Sequence, residues 1–176
     1  MNIDWKDKPF VIGIAGGSAS GKTTVSNAIY KDYNKQSLQG HIISIDDFYI
    51  PVTDEERHNI KDINFDDPNR IEFSELEKVL QSIIERKTTT MPIYDFKTCT
   101  RIGKKDISCK NIDFIIVEGL FCLYDERIFS RSFPLQALFW VEKAIKTGNI
   151  SKKSRTNVQG NIQKYKKFKD VKLYII

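Results

Sequence analysis

Short apolar runs alternate with polar, helix-compatible segments along most of this chain of 176 residues. The segment from Lys22 to about Lys35 contains neither glycine nor proline, which predicts a helix behind the first apolar run. This alternation predicts an α/β fold with an open, mainly parallel sheet and flanking helices. Five apolar runs are the predicted strands: 10–15, 40–46, 112–117, 136–142 and 171–176.

The middle of the chain has a different pattern. Residues 47–71 hold two prolines and five aspartates and are predicted to be a loop. Ser74 and Glu77 have the spacing of a capping box at a helix start. Short apolar and polar residues alternate from Thr88 to Cys109 around Gly103, which predicts a hairpin-like insertion. The helix after Ser74 has one apolar face: Leu76, Val79, Leu80, Ile83 and Ile84.

The first predicted strand leads into a phosphate-loop motif, G-x-x-x-x-G-K-[ST]. Its glycines let backbone amides approach phosphate oxygens, and the following helix adds its positive N-terminal end. Lys22 can reach the outer phosphates, and the Thr23 hydroxyl can bind Mg²⁺. The alternative is a glycine turn with a surface lysine, but the strand before the motif and the helix after it favour a nucleotide site. The predicted ATP-binding residues are Gly16, Gly17, Ser18, Ala19, Ser20, Gly21, Lys22, Thr23 and Thr24.

Acidic residues follow two other predicted strands, and ligands bind parallel sheets at the carboxyl ends of the strands. Asp46 is placed to accept the proton of an attacking hydroxyl and to help hold a metal; the alternative is a helix cap or a turn residue. Glu118 is placed to bind Mg²⁺ or its water shell. Asp47 can do either job of Asp46, although a continuing strand pleat would point it elsewhere. Lys22 and Asp46 are therefore the predicted catalytic residues, and Thr23, Asp46 and Glu118 the predicted metal site.

Features outside the phosphate loop indicate which class of P-loop protein this is. A GTPase would be expected to carry an Asn-Lys-x-Asp motif, which this sequence does not contain, and a motor domain would usually be longer. The length favours a kinase that acts on a small acceptor. Five sequence blocks then resemble the uridine kinase (uridine–cytidine kinase) family of P-loop kinases over about residues 9–124: residues 16–24, 46–49, 64–68, 92–96 and 117–119.

The resemblance implies a P-loop NTPase fold of the nucleoside-kinase type and phosphorylation of a nucleoside 5′-hydroxyl, most often of uridine or cytidine, with ATP and Mg²⁺. It implies that Asp46 is the general base and that Asp66 binds the ribose hydroxyls. The nucleoside site would lie in insertions within residues 47–110. Its implied substrate-binding residues are Tyr49, Phe65, Asp66, Tyr94, Phe96, Cys99 and Arg101.

Two departures from the family leave alternatives open. Cys99 stands where the family has a base-reading histidine, and a thiol is a poor hydrogen-bond donor. Residues 143–170 are basic and lid-like but contain one arginine, and lysines lack the planar fork that clamps a phosphoryl group. This basic stretch is either an altered lid or a solvated face. The open functions are an active nucleoside kinase, a non-catalytic or degenerate nucleotide-binding protein, and a phosphoribulokinase-like or nicotinamide-riboside-kinase-like enzyme.

Composition supports one kinase domain over residues 1–176, with 40% hydrophobic residues and a net charge of +5. Three cysteines without a C-x-x-C pair argue against a disulfide framework or a zinc site. We expect a cytoplasmic protein, because no signal peptide or membrane-spanning run is found. A nucleic-acid partner is not expected, since no aromatic–basic module accompanies the charge. A homo-oligomer is left open.

Overall fold

The computed structural model describes residues 8–125, 135–141 and 172–175. A five-stranded sheet has the strand order β2-β5-β1-β6-β7, and every pairing in it is parallel. A separate antiparallel pair is formed by β3 and β4. The predicted α/β fold is therefore confirmed. The elements are β1 (Phe10–Gly16), α1 (Lys22–Lys35), β2 (Gly40–Ser44), α2 (Asp54–Arg57), α3 (Phe73–Ile84), β3 (Thr89–Asp95), β4 (Thr100–Ile107), β5 (Phe114–Gly119), β6 (Leu135–Val141) and β7 (Lys172–Ile175).

The sheet is covered on its two faces by different elements. All six residues of β5 are buried, as expected for a parallel strand packed on both faces. On one face, Tyr30 and Tyr33 of α1 pack against the ring of Phe114. A larger buried cluster joins the apolar side of α3 to the hairpin and to the other face of the sheet. The predicted apolar face of α3 is confirmed, because all five of its residues are buried.

The second strand ends earlier than the sequence predicts. β2 stops at Ser44, which pairs with Glu118, and residues Ile45–Phe48 form a single 3-10 turn. The partner strand β5 ends at Gly119, so Ile45 has little strand left to pair with and folds over that glycine. Asp46 and Asp47 therefore lie in a helical turn and not at a strand tip, and the pleat argument for Asp47 was wrong.

The predicted capping box at Ser74 and Glu77 is also wrong. Helix α3 begins at Phe73 with Glu72 as its N-cap, and no side chain caps it. Phe73 is buried, so the helix starts one residue before Ser74 in order to direct this ring into the core. A capping box does occur in the predicted loop, where Thr53 and Glu56 exchange hydrogen bonds at the start of α2.

The hairpin is confirmed, but its turn lies elsewhere. Residues 96–99 form the turn, whereas Gly103 lies within β4 opposite Ile93. The Asp95 carboxylate accepts hydrogen bonds from the backbone amide of Thr98 at 3.0 Å and from its hydroxyl at 2.7 Å. Cys99 closes the turn with a φ of 52°. Asp95 therefore stabilises this turn, as aspartate does in many tight turns.

Other expectations meet the structure only in part. Cys99, Cys109 and Cys122 are buried free thiols, which confirms that they form no disulfide. No helix in the described ranges has the length and apolar character needed to cross a membrane. The basic region 143–170 lies outside the described residues.

Candidate active site

The phosphate loop connects the end of β1 to the start of α1, as the motif predicts. Positive φ values at Ala19 (57°) and Gly21 (101°) bend the backbone around the loop. Successive amides in such a bend form an anion-binding concavity. The Lys22 ammonium donates to the carbonyl of Gly17 at 2.9 Å, so it lies across the loop opening. The side-chain hydroxyl of Ser20 is buried and makes no hydrogen bond to a described residue. The loop has the geometry to bind a polyphosphate.

Two residues far apart in the chain meet beside this loop. The Thr23 hydroxyl donates to Oε1 of Glu118 at 3.0 Å across a separation of 95 residues. Glu118 is only 5% exposed, although it is a carboxylate. Burial raises the pKa of Glu118, the Thr23 hydrogen bond lowers it, and the charges of Asp46 and Asp47 raise it further. Glu118 therefore lies close to both aspartates of the 3-10 turn.

Asp46 faces the loop lysine from the other side. Burial raises the pKa of Asp46, and the positive charge of Lys22 opposes that rise. A carboxylate whose pKa moves up toward neutral is a better proton acceptor than an ordinary aspartate. The structure thus brings Lys22, Thr23, Asp46 and Glu118 together at the carboxyl edge of the sheet.

These residues fit a magnesium ion. Mg²⁺ prefers hard oxygen ligands, and in phosphate sites it takes one or two carboxylates together with phosphate and water oxygens. The Thr23 hydroxyl, Glu118 and Asp46 supply such oxygens. Burial raises the pKa of both acids, so a divalent cation would relieve the cost of keeping them ionised. Within the described ranges no cluster of three or more His, Cys, Asp or Glu side chains is arranged to hold a metal ion.

Asp47 connects the 3-10 turn to the hairpin. Its Oδ1 accepts a hydrogen bond from the backbone amide of Tyr94 at 3.4 Å. Burial raises the pKa of Asp47, the Tyr94 amide lowers it, and the charges of Asp46 and Lys105 act in opposite directions. The turn that bears Asp46 is therefore linked to the strand that bears Tyr94.

The predicted aromatic residues form one cluster, which we call the aromatic cluster: Tyr49, Phe65, Tyr94 and Phe96. Ring centroids lie 5.5 Å apart for Tyr49 and Tyr94, 5.3 Å for Tyr49 and Phe96, 5.0 Å for Tyr94 and Phe96, and 6.2 Å for Tyr49 and Phe65. Tyr49 and Tyr94 are buried, whereas Phe96 is 52% exposed. Such a cluster can hold a flat apolar or aromatic group.

The pKa of Tyr49 is influenced by two carboxylates, those of Asp46 and Asp66. Its hydroxyl donates to the carbonyl of Phe65 at 2.8 Å. Burial raises the pKa of Tyr49 to about 12, and the negative charges of Asp46 and Asp66 raise it as well. Asp66 itself is exposed. The residue proposed to bind ribose and the proposed general base therefore both act on the same tyrosine through their charges.

Cys99 and Arg101 hold the hairpin in place. The Cys99 thiol donates to the carbonyl of Phe96 at 3.3 Å. The Arg101 guanidinium pairs with Glu75 at 2.7 Å and Glu72 at 3.0 Å, and its Nε donates to the carbonyl of Tyr49 at 3.3 Å. Arg101 thus fixes β4 to α3 and to the backbone of Tyr49. That either residue contacts a substrate stays a prediction.

Arg70 is a site residue that the sequence analysis did not select. It ends a 3-10 turn at Pro68–Arg70, and its charge acts on both Tyr49 and Tyr94. Its guanidinium pairs with Glu56 at 2.7 Å, across 14 residues. No local spacing rule relates these two positions, so the sequence held no signal for the pair.

Comparison with known proteins identifies the family. A model of the Phosphoribulokinase / Uridine kinase family matches residues 11–134. The chain belongs to this family. The match includes the phosphate loop, the 3-10 turn, the hairpin and β5, which are the elements that build the site.

Curated relatives agree. The chain is 39% identical to a uridine kinase from Limosilactobacillus reuteri (strain DSM 20016) over 128 residues, 73% of this chain and 57% of that protein. It is 33% identical to uridine-cytidine kinase B from Dictyostelium discoideum over 127 residues, 72% of this chain and 51% of that protein. The chain therefore spans about half the length of the curated relatives it matches.

A solved structure supports the fold. A protein described as a possible uridine kinase from Bacillus stearothermophilus superposes with a TM-score of 0.62. The alignment covers 93% of this chain and 88% of that one at 19% identity. At this identity the likeness establishes the P-loop kinase fold.

Proposed function

We propose that this chain transfers the γ-phosphoryl group of ATP to the 5′-hydroxyl of a nucleoside, uridine or cytidine, in a Mg²⁺-dependent reaction. One observation carries the proposal: a phosphate loop, the buried carboxylate of Glu118 and the half-buried carboxylate of Asp46 lie beside an aromatic cluster with an exposed aspartate. A site that only bound a nucleotide would not need the aromatic cluster or Asp66. Family membership and the curated uridine kinase relatives support the same reaction.

In this proposal each residue has one task. Asp46 accepts the proton of the 5′-hydroxyl as the hydroxyl oxygen bonds to the γ-phosphorus and the bond to the bridging β–γ oxygen breaks. The loop amides and Lys22 stabilise the phosphate charges, including those on the departing ADP. Asp46 then releases its proton to water. Magnesium, when bound by Thr23, Asp46 and Glu118, neutralises phosphate charge.

The acceptor is held by the insertion residues. Asp66 binds the ribose hydroxyls, because one carboxylate can accept two hydrogen bonds. The aromatic cluster holds the base, and Arg101 keeps Tyr49 in position through its backbone carbonyl. A lid role for residues 143–170 remains a prediction. We expect the protein in the cytoplasm, where both substrates occur, and a homo-oligomer stays open.

An ADP-release assay with a panel of nucleosides tests the reaction. Turnover with uridine or cytidine supports the proposal. ATP binding without turnover on any acceptor would favour the non-catalytic alternative. Turnover with another small acceptor would favour a related kinase of the same family. The release of ADP must depend on the acceptor, since a simple ATPase would release it without one.

Lys22→Ala tests the phosphate loop. We expect ATP affinity and turnover both to fall strongly, because the ammonium lies across the loop opening, where it can bind the outer phosphates. Isothermal titration with a non-hydrolysable ATP analogue measures the first and the coupled assay the second. Unchanged values in both would refute the assignment of the loop.

Asp46→Asn tests the base. We expect turnover to fall about 10²-fold or more with ATP affinity largely kept, because the amide cannot accept the proton. The matched control is Asp32→Asn, which makes the same change at an exposed position on α1. If Asp46→Asn and Asp32→Asn show similar turnover, then Asp47 or water acts as the base.

A further inference from the structure

Arg70 is held firmly by two anchors. Its Nη1 donates to Oε1 of Glu56 at 2.7 Å, and its Nη2 donates to the carbonyl of Ile50 at 3.3 Å. Glu56 is itself fixed, because its other oxygen accepts the Thr53 amide at 2.9 Å in the α2 capping box. The carbonyl of Arg70 also accepts the amide of Ile50 at 2.7 Å. The guanidinium therefore has a defined orientation before any ligand arrives.

One donor of this guanidinium is left over. Nε of Arg70 is buried and has no hydrogen-bond partner among the described residues. The hydroxyl of Tyr94 is likewise buried without a hydrogen-bond partner of good geometry, and the Cys99 thiol, a weak acceptor, lies beside it. Ile50, the chain neighbour of Tyr49, is hydrogen-bonded to Arg70 in both directions, which places Arg70 beside the aromatic cluster. Burial raises the pKa of both Tyr49 and Tyr94, and the charge of Arg70 opposes the rise in both. Buried polar groups without partners are rare because each costs about 1–3 kcal/mol.

Two polar groups lie at this end of the aromatic cluster: the Nε–H of Arg70 and the hydroxyl of Tyr94. The Nε–H group can only donate a hydrogen bond, whereas the tyrosine hydroxyl can donate or accept. The neighbouring Cys99 thiol is turned to the Phe96 carbonyl. A ligand that satisfies both groups presents an acceptor to Arg70 and, next to it, a group that donates to the Tyr94 hydroxyl or accepts from it. A 4-oxo pyrimidine has this order along its edge, with a carbonyl at position 4 and an N–H at position 3.

We propose that Arg70 is a base-reading residue that selects a 4-oxo pyrimidine nucleoside over a 4-amino one. This inference rests on the proposed function. A 4-amino base would direct its N–H groups at the Nε–H of Arg70. Two hydrogen-bond donors would then face each other without an acceptor. Nε of Arg70 and the Tyr94 hydroxyl are both closed to solvent, and Phe96, whose ring centroid lies 5.0 Å from that of Tyr94, is the exposed member of the cluster.

Arg70→Lys tests this role, because lysine keeps the charge and can still pair with Glu56 but has no Nε–H of that geometry. We expect kcat/KM for uridine to fall about tenfold, as for a hydrogen bond from a charged donor, and that for cytidine to change less than about twofold. Arg57→Lys is the matched control. Arg57 also acts on Tyr94, but its Nε already pairs with Asp54 at 3.6 Å. The control should leave the uridine-to-cytidine ratio within about twofold of the wild type.

A measurement on the wild-type protein keeps the test valid if Arg70→Lys does not fold. The kcat/KM values for uridine, 4-thiouridine and cytidine should fall in that order, since the acceptor at position 4 weakens and then becomes a donor. Equal values or a preference for cytidine would overturn the inference. So would an equal loss for uridine and cytidine in Arg70→Lys, which would mean that Arg70 only supports the fold and that water fills the gap.

Failure of the proposed function gives a different result. In that case the wild type phosphorylates neither nucleoside, and neither nucleoside raises its Tm, so the inference falls together with the function. If the wild type phosphorylates uridine and the ratio in Arg70→Lys is unchanged, only the role of Arg70 is wrong.

Discussion

At the scale of single residues, the site is marked by polar groups in places where burial is costly. Cys99 stands where the resemblance to the family implies a base-reading histidine, and it is only 7% exposed with a φ of 52°. Histidine is among the residues that tolerate this left-handed backbone region better than most. The backbone at position 99 therefore permits the residue that the family has there.

Cys99→His should raise kcat/KM for uridine or cytidine about three- to tenfold, because the imidazole supplies a neutral hydrogen bond that the thiol does not. The coupled assay and a melting curve on the same variant check this. Cys109→His is the matched control, since it places the same ring at another buried thiol outside the site and should only lower Tm. A lower Tm for Cys99→His with an unchanged nucleoside profile would mean that position 99 does not face the base.

At the scale of elements, the 3-10 turn at Ile45–Phe48 depends on a glycine in another strand. A Cβ atom on Gly119 would lie 2.8 Å from Cβ of Ile45, closer than real Cβ contacts allow. Ile45 directly precedes Asp46, so the glycine that follows Glu118 lets the turn with the proposed general base approach β5. The close contact with Ile45 thus explains why the third residue of the Val117–Gly119 block is a glycine.

Gly119→Ala should therefore lower both stability and turnover. Overpacking of a tight core contact typically costs about 1–3 kcal/mol, which at this chain length is roughly 2–10 °C in Tm. Turnover should fall more than ATP affinity, because the displaced turn bears Asp46 and not the phosphate loop. Gly103→Ala is the control, since a Cβ there meets nothing within 4 Å. Equal effects of the two variants would show that the Gly119 contact does not matter.

At the scale of the whole molecule, the parallel sheet brings three acidic residues to one edge: Glu118, Asp46 and Asp47. β2, β5 and β1 are adjacent, so the ends of all three strands meet there. Burial raises the pKa of Glu118, Asp46 and Asp47, which means that folding makes these groups harder to ionise. The fold keeps these acids close together at a cost in stability, which is usual at active sites.

Glu118→Gln should thus raise Tm at neutral pH while it lowers turnover by about tenfold or more, because the amide has no charge to desolvate but binds a cation poorly. The sign follows from the raised pKa: above the ordinary glutamate pKa the wild-type carboxylate is destabilising, and the variant escapes this penalty. Melting curves without nucleotide or metal, together with the coupled assay, measure both effects. A lower Tm in the variant would mean that the Thr23 hydrogen bond outweighs the desolvation of the carboxylate.

Features that depend on residues close together in the chain could be predicted from the sequence alone. Strand and helix positions follow from periodicity, so the ends of α1 at Lys22 and Lys35 were predicted correctly. The phosphate loop is contiguous, and its chemistry could be inferred from its residues alone. Asp66, Tyr94 and Phe96 were selected through the resemblance to the family. Packing arguments alone would have classed them as ordinary surface or core residues.

The contacts between segments that are distant in the chain could be seen only in the folded structure. The hydrogen bond from Thr23 to Glu118 spans 95 residues and exists because β1 and β5 are paired. The ion pair of Arg70 with Glu56 and the approach of Ile45 to Gly119 likewise follow from packing. Periodicity reports which face of an element is buried but not which distant atom lies opposite it. For that reason the sequence indicated a kinase site, and the fold showed which distant side chains lie around it.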